Sequence, residues 1–147
     1  MKKILFITWD GPQTSYMEGL FMPIFHQVAQ IEPVEFHVVQ FTWALDAKTT
    51  EVRNKAKELG IVYTNYPVCR KPIAVLGSIY TLFKGIQFLK KYIKQQCIDI
   101  VMPRSTIPSI MINRIAKKNF KILFDADGLA IEERVDFSGL SKVRKQY

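Results

Sequence analysis

Short apolar runs recur along the chain, and longer segments with helix-like apolar spacing separate them. Each run is apolar on both faces instead of alternating, which is typical of parallel strands covered by helices on each side. The predicted strands are residues 4–9, 36–43, 61–66, 98–102 and 122–124. The predicted helices are residues 16–30, 50–59, 75–96 and 108–118, with Gly60 as the stop of the second. This alternation predicts an α/β fold: a Rossmann-like, doubly wound parallel sheet of about five strands in the order 3-2-1-4-5, in three α/β/α layers.

Length and composition are those of one compact domain. The chain has 147 residues, of which 48% are hydrophobic, enough for one core and too few for two ordinary domains. A formal charge of +8 favours anionic partners, including membrane surfaces, nucleic acid and phosphorylated metabolites. Because the basic residues are dispersed over several helices and the aromatic residues fit a core, we expect no specific nucleic-acid binding.

The cysteines, the histidines and the N-terminal segment predict a cytoplasmic protein without a metal centre. Cys69 and Cys97 lie far apart and lack the spacing of a zinc site or a redox CxxC, which is typical of reduced cysteines in the cytosol. His26 and His37 have no carboxylate or cysteine at ligand spacing, so no metal is expected. The first apolar run is too short for a signal peptide and meets Asp10 at once, and no stretch is long and uncharged enough to span a bilayer.

Three loops should meet at one edge of this sheet, because Rossmann-like folds place their ligands at the carboxyl ends of the strands. The loops are residues 10–15, 104–106 and 125–128. A guanidinium, hydroxyl groups and a helix start can together hold a phosphate or a carboxylate. The candidates for acceptor or substrate binding are Asp10, Gly11, Gln13, Thr14, Ser15, Arg104, Ser105, Asp125, Asp127 and Gly128.

These loops also have a purely structural interpretation. Thr14 or Ser15 can cap the helix that follows the first loop, and Asp127 can cap the helix after the last predicted strand. Arg104 can pair with Asp125 or Asp127 across the crevice without any ligand. The two interpretations are compatible, since an arginine oriented by an acid is preorganised for a substrate anion.

The motifs of common cofactor and hydrolase sites are missing. The first loop has neither G-x-G-x-x-G nor the G-K-S/T ending of a P-loop, which disfavours a dinucleotide or ATP site. The sequence has no G-x-S-x-G elbow and no histidine at a loop position, so it gives no support for hydrolase chemistry. We expect this chain to bind no cofactor by itself.

Three segments together resemble the N-terminal domain of family-four glycosyltransferases, retaining enzymes of GT-B fold. They are KKILFITWDGP, VMPRSTIPSIMI and FDADGLAIEE, which resemble that domain in their order and spacing. The resemblance covers nearly the whole chain. In that family the corresponding loops face a cleft between two Rossmann domains, where this half mainly holds the acceptor. The positions that the resemblance carries over are Asp10, Gly11, Arg104, Ser105, Asp125 and Gly128.

The resemblance implies a parent enzyme that moves a sugar from a nucleotide-sugar donor to an acceptor hydroxyl with retention. Asp127 stands where the D-x-R-G pattern of the family has arginine, and the histidine that other members place near the cleft is not evident. The C-terminal domain that grips the nucleotide-sugar in the family, with its E-x7-E signature, lies outside residues 1–147. We therefore expect a single truncated N-terminal domain that is inactive alone. Its implied partners are the missing C-terminal domain and a sugar or lipid-linked acceptor.

A free-standing flavodoxin-like module that binds a small anion is the competing interpretation, because the length and the number of strands permit it. Tight binding of a flavin or phosphate by this chain alone would favour that module over half of a transferase.

The long segment 74–96 predicts an amphipathic helix with two functional faces. The residues expected to pack on the sheet are Ile79, Leu82, Phe83, Ile86, Leu89 and Ile93. The residues on another face are Lys84, Phe88, Lys91 and Gln95. A phenylalanine between two lysines predicts contact with anionic lipid headgroups, with Lys84, Phe88 and Lys91 as the contact residues. A solvated basic face with one exposed aromatic residue is the alternative. The lipid interpretation implies a parent protein peripherally attached to the inner face of a membrane.

Overall fold

The computed structural model describes residues 1–11, 15–115 and 119–125. Five strands form a sheet in the order β3-β2-β1-β4-β5, and every neighbouring pair is parallel. The strands are β1 (Lys2–Asp10), β2 (Val34–Thr42), β3 (Val62–Pro67), β4 (Ile100–Pro103) and β5 (Lys121–Ile122). The predicted α/β class, the Rossmann-like parallel sheet and its strand order are confirmed. Gln13, Thr14, Asp127 and Gly128 lie outside the described residues.

Helices connect the strands in the predicted alternation. A π-helical turn, Met17–Phe21, leads into α1 (Met22–Ile31), and α2 (Asp46–Glu58), α3 (Ala74–Gln96) and α4 (Thr106–Asn113) follow. The second helix begins four residues earlier than predicted, and the Thr49 hydroxyl donates to the Asp46 carbonyl within its first turn. Gly60 adopts a φ of 71° just after α2, the left-handed conformation that suits a helix stop.

One face of the sheet is covered by α1 and α2 over a core rich in aromatic residues. Phe25 of α1 stacks on Phe36 of β2 with ring centroids 4.5 Å apart, and it meets Phe6 of β1 edge-on at 5.1 Å. Val52 and Ala56 of α2 complete this core. Large side chains therefore fill the space between these helices and the sheet.

The other face is covered by α3 and α4. The core residues here alternate along the strands with those of the first face, as Leu5 and Ile7 flank Phe6 in β1. Leu89 of α3 and Met111 of α4 are fully buried against them. Both faces of the central strands are thus apolar, as the sequence pattern predicted.

The predicted sheet-facing side of α3 is only partly right. Leu89 and Ile93 are buried, and Leu82 and Ile86 pack partly against the core. Ile79 and Phe83 are 48% and 63% exposed, so their assignment to the core is wrong. The first half of the helix turns a different side to the sheet.

Small residues are the reason for that difference. Gly77, Thr81 and Gly85 are the buried residues of the first half of α3. A Cβ on Gly77 would lie 2.3 Å from the Cys69 carbonyl oxygen, and one on Gly85 would lie 2.5 Å from Met111 Cε. The helix approaches its neighbours through glycines, which leaves its larger apolar side chains pointing outwards.

The predicted lipid-contact face of α3 also needs correction. Lys84 and Lys91 are exposed as expected. Phe88, however, packs against the core and lies between Tyr66 and Tyr92, with ring centroids 5.0 and 5.7 Å away. Because its ring is held by these tyrosines, Phe88 does not stand on a solvent face between lysines.

Candidate functional site

The carboxyl ends of β2, β1 and β4 meet at one edge of the sheet. Asp10 at the end of β1 is in register with Thr42 of β2, and Ile7 is in register with Pro103 of β4. Arg104, just after β4, forms a bridge with Asp125, just after β5. The described first residues of three separate loops, Asp10, Arg104 and Asp125, therefore lie at this edge, as the strand order requires.

Arg104 and Asp125 form an ion pair at this edge. The Arg104 Nη1 donates to Asp125 Oδ2 at 2.8 Å, and the two side chains are 17% and 32% exposed. Asp125 N–H donates to the Pro103 carbonyl at 3.1 Å, which continues the strand pairing beyond β5. The Arg104 guanidinium also lies 4.5 Å from the centre of the Phe21 ring. Both the acid and the ring therefore fix the orientation of this cation.

Ser105 has a strained backbone directly before α4. Its φ of 65° and ψ of −172° are a combination that residues other than glycine rarely adopt. Such a conformation costs about 1–3 kcal/mol, and in proteins these conformations cluster at binding and catalytic sites. The Ser105 N–H donates to the Asp125 carbonyl at 3.2 Å, and its own carbonyl accepts from the Ser109 hydroxyl at 2.6 Å. These bonds hold the strained turn in place between the ion pair and the helix.

Asp10 belongs to a polar network on the α1–α2 side of the edge. Its Oδ2 accepts from the Thr8 hydroxyl at 2.6 Å and from the Gln40 amide at 3.3 Å. Tyr63 in turn donates its hydroxyl to Gln40 Oε1 at 2.6 Å. Burial raises the pKa of Tyr63 to about 12, and the charges of Glu18 and Asp10 add to the increase. Asp10 is thus held in place by uncharged partners from two strands.

Gln40, Tyr63 and Glu18 were not among the residues expected from the sequence. A sequence signal for Gln40 was available, because it is the single amide within the apolar run FHVVQF. In the structure Gln40 is only 5% exposed. Glu18 forms an ion pair with Lys48 of α2, and its bond raises the pKa of that lysine. Among the described residues, Glu18 Oε2 is buried without a hydrogen-bond partner. Glu18 therefore brings a polar group into the interior close to the first loop.

Gly11 lies against an aromatic side chain at the same edge. A Cβ on Gly11 would lie 2.9 Å from the Trp43 ring, so a larger residue would displace that ring. The Arg70 guanidinium lies 4.5 Å from the centre of the same ring. Ser15 is exposed, and Tyr16, the residue before the π-helical turn, makes no side-chain cap hydrogen bond. Thr14, the other residue expected to cap this helix, lies outside the described residues.

Three further features of the described chain concern metal ions, membrane spans and the buried His37. No three His, Cys, Asp or Glu side chains within residues 1–11, 15–115 and 119–125 are grouped so that they could hold a metal ion. None of the helices in that part of the chain combines the length and the apolar character needed to traverse a bilayer. His37 is buried, and its Nδ1 lies 2.9 Å from the Tyr92 hydroxyl oxygen. Its Nε2 lies 2.6 Å from Glu35 Oε1, and this contact holds the pKa of Glu35 below its ordinary value.

Comparison with solved structures finds a similar fold in part of a glycosyltransferase. No protein-family model matches the chain, and no curated protein matches its sequence. Among solved structures, the chain is similar to a glycosyltransferase from Rickettsia africae ESF-5, with a TM-score of 0.53 and 15% sequence identity. The similarity covers 84% of this chain and 30% of the Rickettsia chain. At this identity the likeness concerns the fold alone: the chain has a Rossmann-like α/β fold similar to part of a glycosyltransferase.

Proposed function

We propose that this chain is the acceptor-side half of a retaining glycosyltransferase of GT-B fold. The observation that carries the proposal is the likeness of most of the chain to a part of a known glycosyltransferase. The resemblance of three segments to family-four enzymes supports it independently, because these segments contain Asp10, Arg104 and Asp125 at the polar edge of the sheet. In this proposal the parent enzyme moves a sugar from a nucleotide-sugar to an acceptor hydroxyl.

The polar edge suits the orientation of a sugar acceptor. The Asp10 carboxylate can accept a hydrogen bond from a sugar hydroxyl, and Thr8 and Gln40 restrict its movement. Arg104, oriented by Asp125, suits an anionic group on the acceptor or the leaving diphosphate. Catalysis in such a site depends mainly on positioning and on electrostatic stabilisation of the leaving group. We assign these residues to acceptor orientation and name no catalytic residue.

The acceptor assignment can be tested by NMR titration. With methyl glycosides and a glycosyl phosphate as probes, we expect amide shifts at residues 10–11, 42–43, 104–105 and 125. Asp10→Asn removes a charged acceptor and should weaken glycoside binding several-fold, and Arg104→Lys should weaken binding of the glycosyl phosphate. Glu51→Gln, an exposed change on α2, is the matched control and should bind as the parent does. Shifts confined to other surfaces would contradict the assignment.

The donor side can be tested by calorimetry. We propose that a second domain holds most of the nucleotide-sugar, so the 147-residue chain should bind nucleoside-diphosphate sugars weakly and transfer no sugar. Micromolar binding of such a donor to this chain would contradict the proposal that a second domain holds most of the nucleotide-sugar. For an active enzyme that contains this chain, the anomeric configuration of the product should match that of the donor. Tight binding of a flavin mononucleotide or of phosphate alone would instead favour the small-anion module.

We also propose that the parent protein is cytoplasmic and attached peripherally to a membrane that carries a lipid-linked acceptor. The basic character of the chain supports attachment to an anionic surface. Phe88 is excluded as the contact, since it packs between two tyrosines. Lys84 and Lys91 are exposed and available for headgroup contact.

A further inference from the structure

The first half of α3 exposes an unusual set of large apolar side chains. Val75, Leu76, Ile79, Tyr80 and Phe83 are each between 48% and 66% exposed. Their spacing along the helix places them on one side, opposite Gly77, Thr81 and Gly85. We call these five residues the apolar surface of α3. Single exposed apolar residues are ordinary, but a contiguous set of this kind marks an interaction surface.

A groove continues the apolar surface of α3 towards the sheet edge. Its volume is about 350 Å³, and Val75 and Ile79 on the helix, Trp9 at the end of β1 and Ile107 in α4 line it. The described residues that line it include no charged side chain. A volume of this size lies within the range of ligand pockets, and the lining suits a hydrocarbon chain better than a sugar.

The chain segment that carries this surface has charges of one sign. Residues 59–98 contain six basic residues and no acidic residue. Arg70 and Lys71 precede α3 and are exposed, and Lys84 follows Phe83 directly. Apolar side chains bordered by cations match the layers of an anionic bilayer, in which acyl chains lie beneath negatively charged headgroups.

We infer that the apolar surface of α3 inserts into an anionic lipid bilayer and that the groove beside Trp9 accepts an acyl chain. The inference rests on the peripheral-membrane part of the proposed function and does not depend on sugar transfer. It assigns membrane contact to the first half of α3 instead of the Phe88 side. The surface lies next to the sheet edge that carries Asp10, so attachment here keeps that edge close to the headgroup layer.

Vesicle co-sedimentation tests the surface. The full chain should bind vesicles of phosphatidylcholine with phosphatidylglycerol, bind less as salt rises, and bind little to phosphatidylcholine alone. The double change Ile79→Ser with Phe83→Ser should lower partitioning about tenfold or more, because less apolar area enters the bilayer. Ile24→Ser with Ile31→Ser is the matched control, since these residues of α1 are 45% and 81% exposed on the other face. Equal loss in both double variants, or no loss in the first, would overturn the inference.

Tryptophan quenching tests the groove. In a Trp43→Phe background Trp9 is the remaining tryptophan, and lipids brominated along the acyl chain should quench its emission. Ser78 lines the groove, so Ser78→Phe should fill it and abolish this quenching. Vesicle partitioning should change by less than about twofold, because the apolar surface of α3 is kept. Vesicle-bound protein whose Trp9 is not quenched would overturn the acyl-chain assignment. Circular dichroism checks that each variant remains folded.

Sedimentation without lipid tests a second copy of this chain as the alternative occupant. We expect a monomer, and a concentration-dependent dimer that disappears in the Ile79→Ser and Phe83→Ser variant would assign the surface to self-association instead. The vesicle-binding test does not depend on the proposed transferase activity. Loss of vesicle binding with intact glycoside binding, or the reverse, shows which of the two proposals fails.

Discussion

The helices on the two faces of the sheet approach it in different ways. On the α1–α2 face, large aromatic residues such as Phe25 and Phe36 fill the interior. On the α3 face, the first half of the helix approaches through Gly77 and Gly85, and Phe83 points outwards. Both faces bury aromatic side chains, Phe41 among them on the α3 face, but the first half of α3 leaves its own large side chains outside the core.

This difference shows that apolar spacing alone does not tell which side of a helix faces the core. A helix packed through glycines brings its backbone close to the partner and gains contact without large side chains. Its remaining apolar residues are then left for another partner. The polar network of Asp10 and the ion pair of Arg104 lie on the α1–α2 side, so the two faces also separate polar recognition from apolar contact.

The largest expected effect is a contrast between two phenylalanines. Phe25→Ala should lower the free energy of unfolding by about 3–5 kcal/mol, because it leaves a cavity beside Phe36 and Phe6. Phe83→Ala should change it by less than about 0.5 kcal/mol, since that side chain is mostly exposed. Urea denaturation measures both values. A large loss for Phe83→Ala would show that the apolar surface of α3 is part of the core.

The next largest effect on the free energy of unfolding is expected where Gly77 contacts the Cys69 backbone. Gly77→Ala should cost about 1–3 kcal/mol or more, because its Cβ would lie 2.3 Å from a backbone oxygen that cannot rotate away. Gly19→Ala is the matched control, as nothing lies within 4 Å of its added Cβ. We expect no loss there, and urea denaturation again gives the comparison. A neutral Gly77→Ala would mean that α3 can move outwards at little cost.

Titration of Tyr63 on the α1–α2 face should lower the free energy of unfolding at alkaline pH. Because the pKa of Tyr63 is raised from 10.0 to about 12 in the folded chain, its stabilising contribution is complete below pH 10.0 and declines as pH rises towards 12. After allowance for solvent screening, we expect a loss of about 1 kcal/mol. Denaturation at a series of pH values should show this decline, and Tyr63→Phe should reduce it. An unchanged decline in Tyr63→Phe would place the titrating group elsewhere.

The smallest expected effect on stability is at the ion pair. Asp125→Asn should change the free energy of unfolding by less than about 1 kcal/mol, because the pair is partly exposed. The same change should weaken binding of a glycosyl phosphate, since Arg104 loses the acid that orients it. Glu58→Gln removes an exposed ion pair with Lys55 and is the control for both measurements. Large destabilisation without any change in binding would make the Arg104–Asp125 pair purely structural.

Much of the architecture was predictable because it depends on local patterns. Doubly apolar strands alternating with helices leave few packings other than a parallel sheet, and the observed order agrees. The meeting of Arg104 and Asp125 was predictable for the same reason, since both follow neighbouring parallel strands. The strained turn at Ser105 was not, because no residue type at that position signals a positive φ.

The sequence by itself determined the class of fold, the strand order and the edge at which the polar loops meet. Only the tertiary structure decided that Asp10 takes Gln40 as its partner 30 residues away, and that Tyr63 completes the network. It also decided which side of α3 is buried. The physical reason is that periodicity describes one element at a time, whereas the burial of a side depends on how closely the backbones approach. At Gly77 and Gly85 that distance is set by the Cys69 backbone and by Phe41 and Met111, which belong to other parts of the chain.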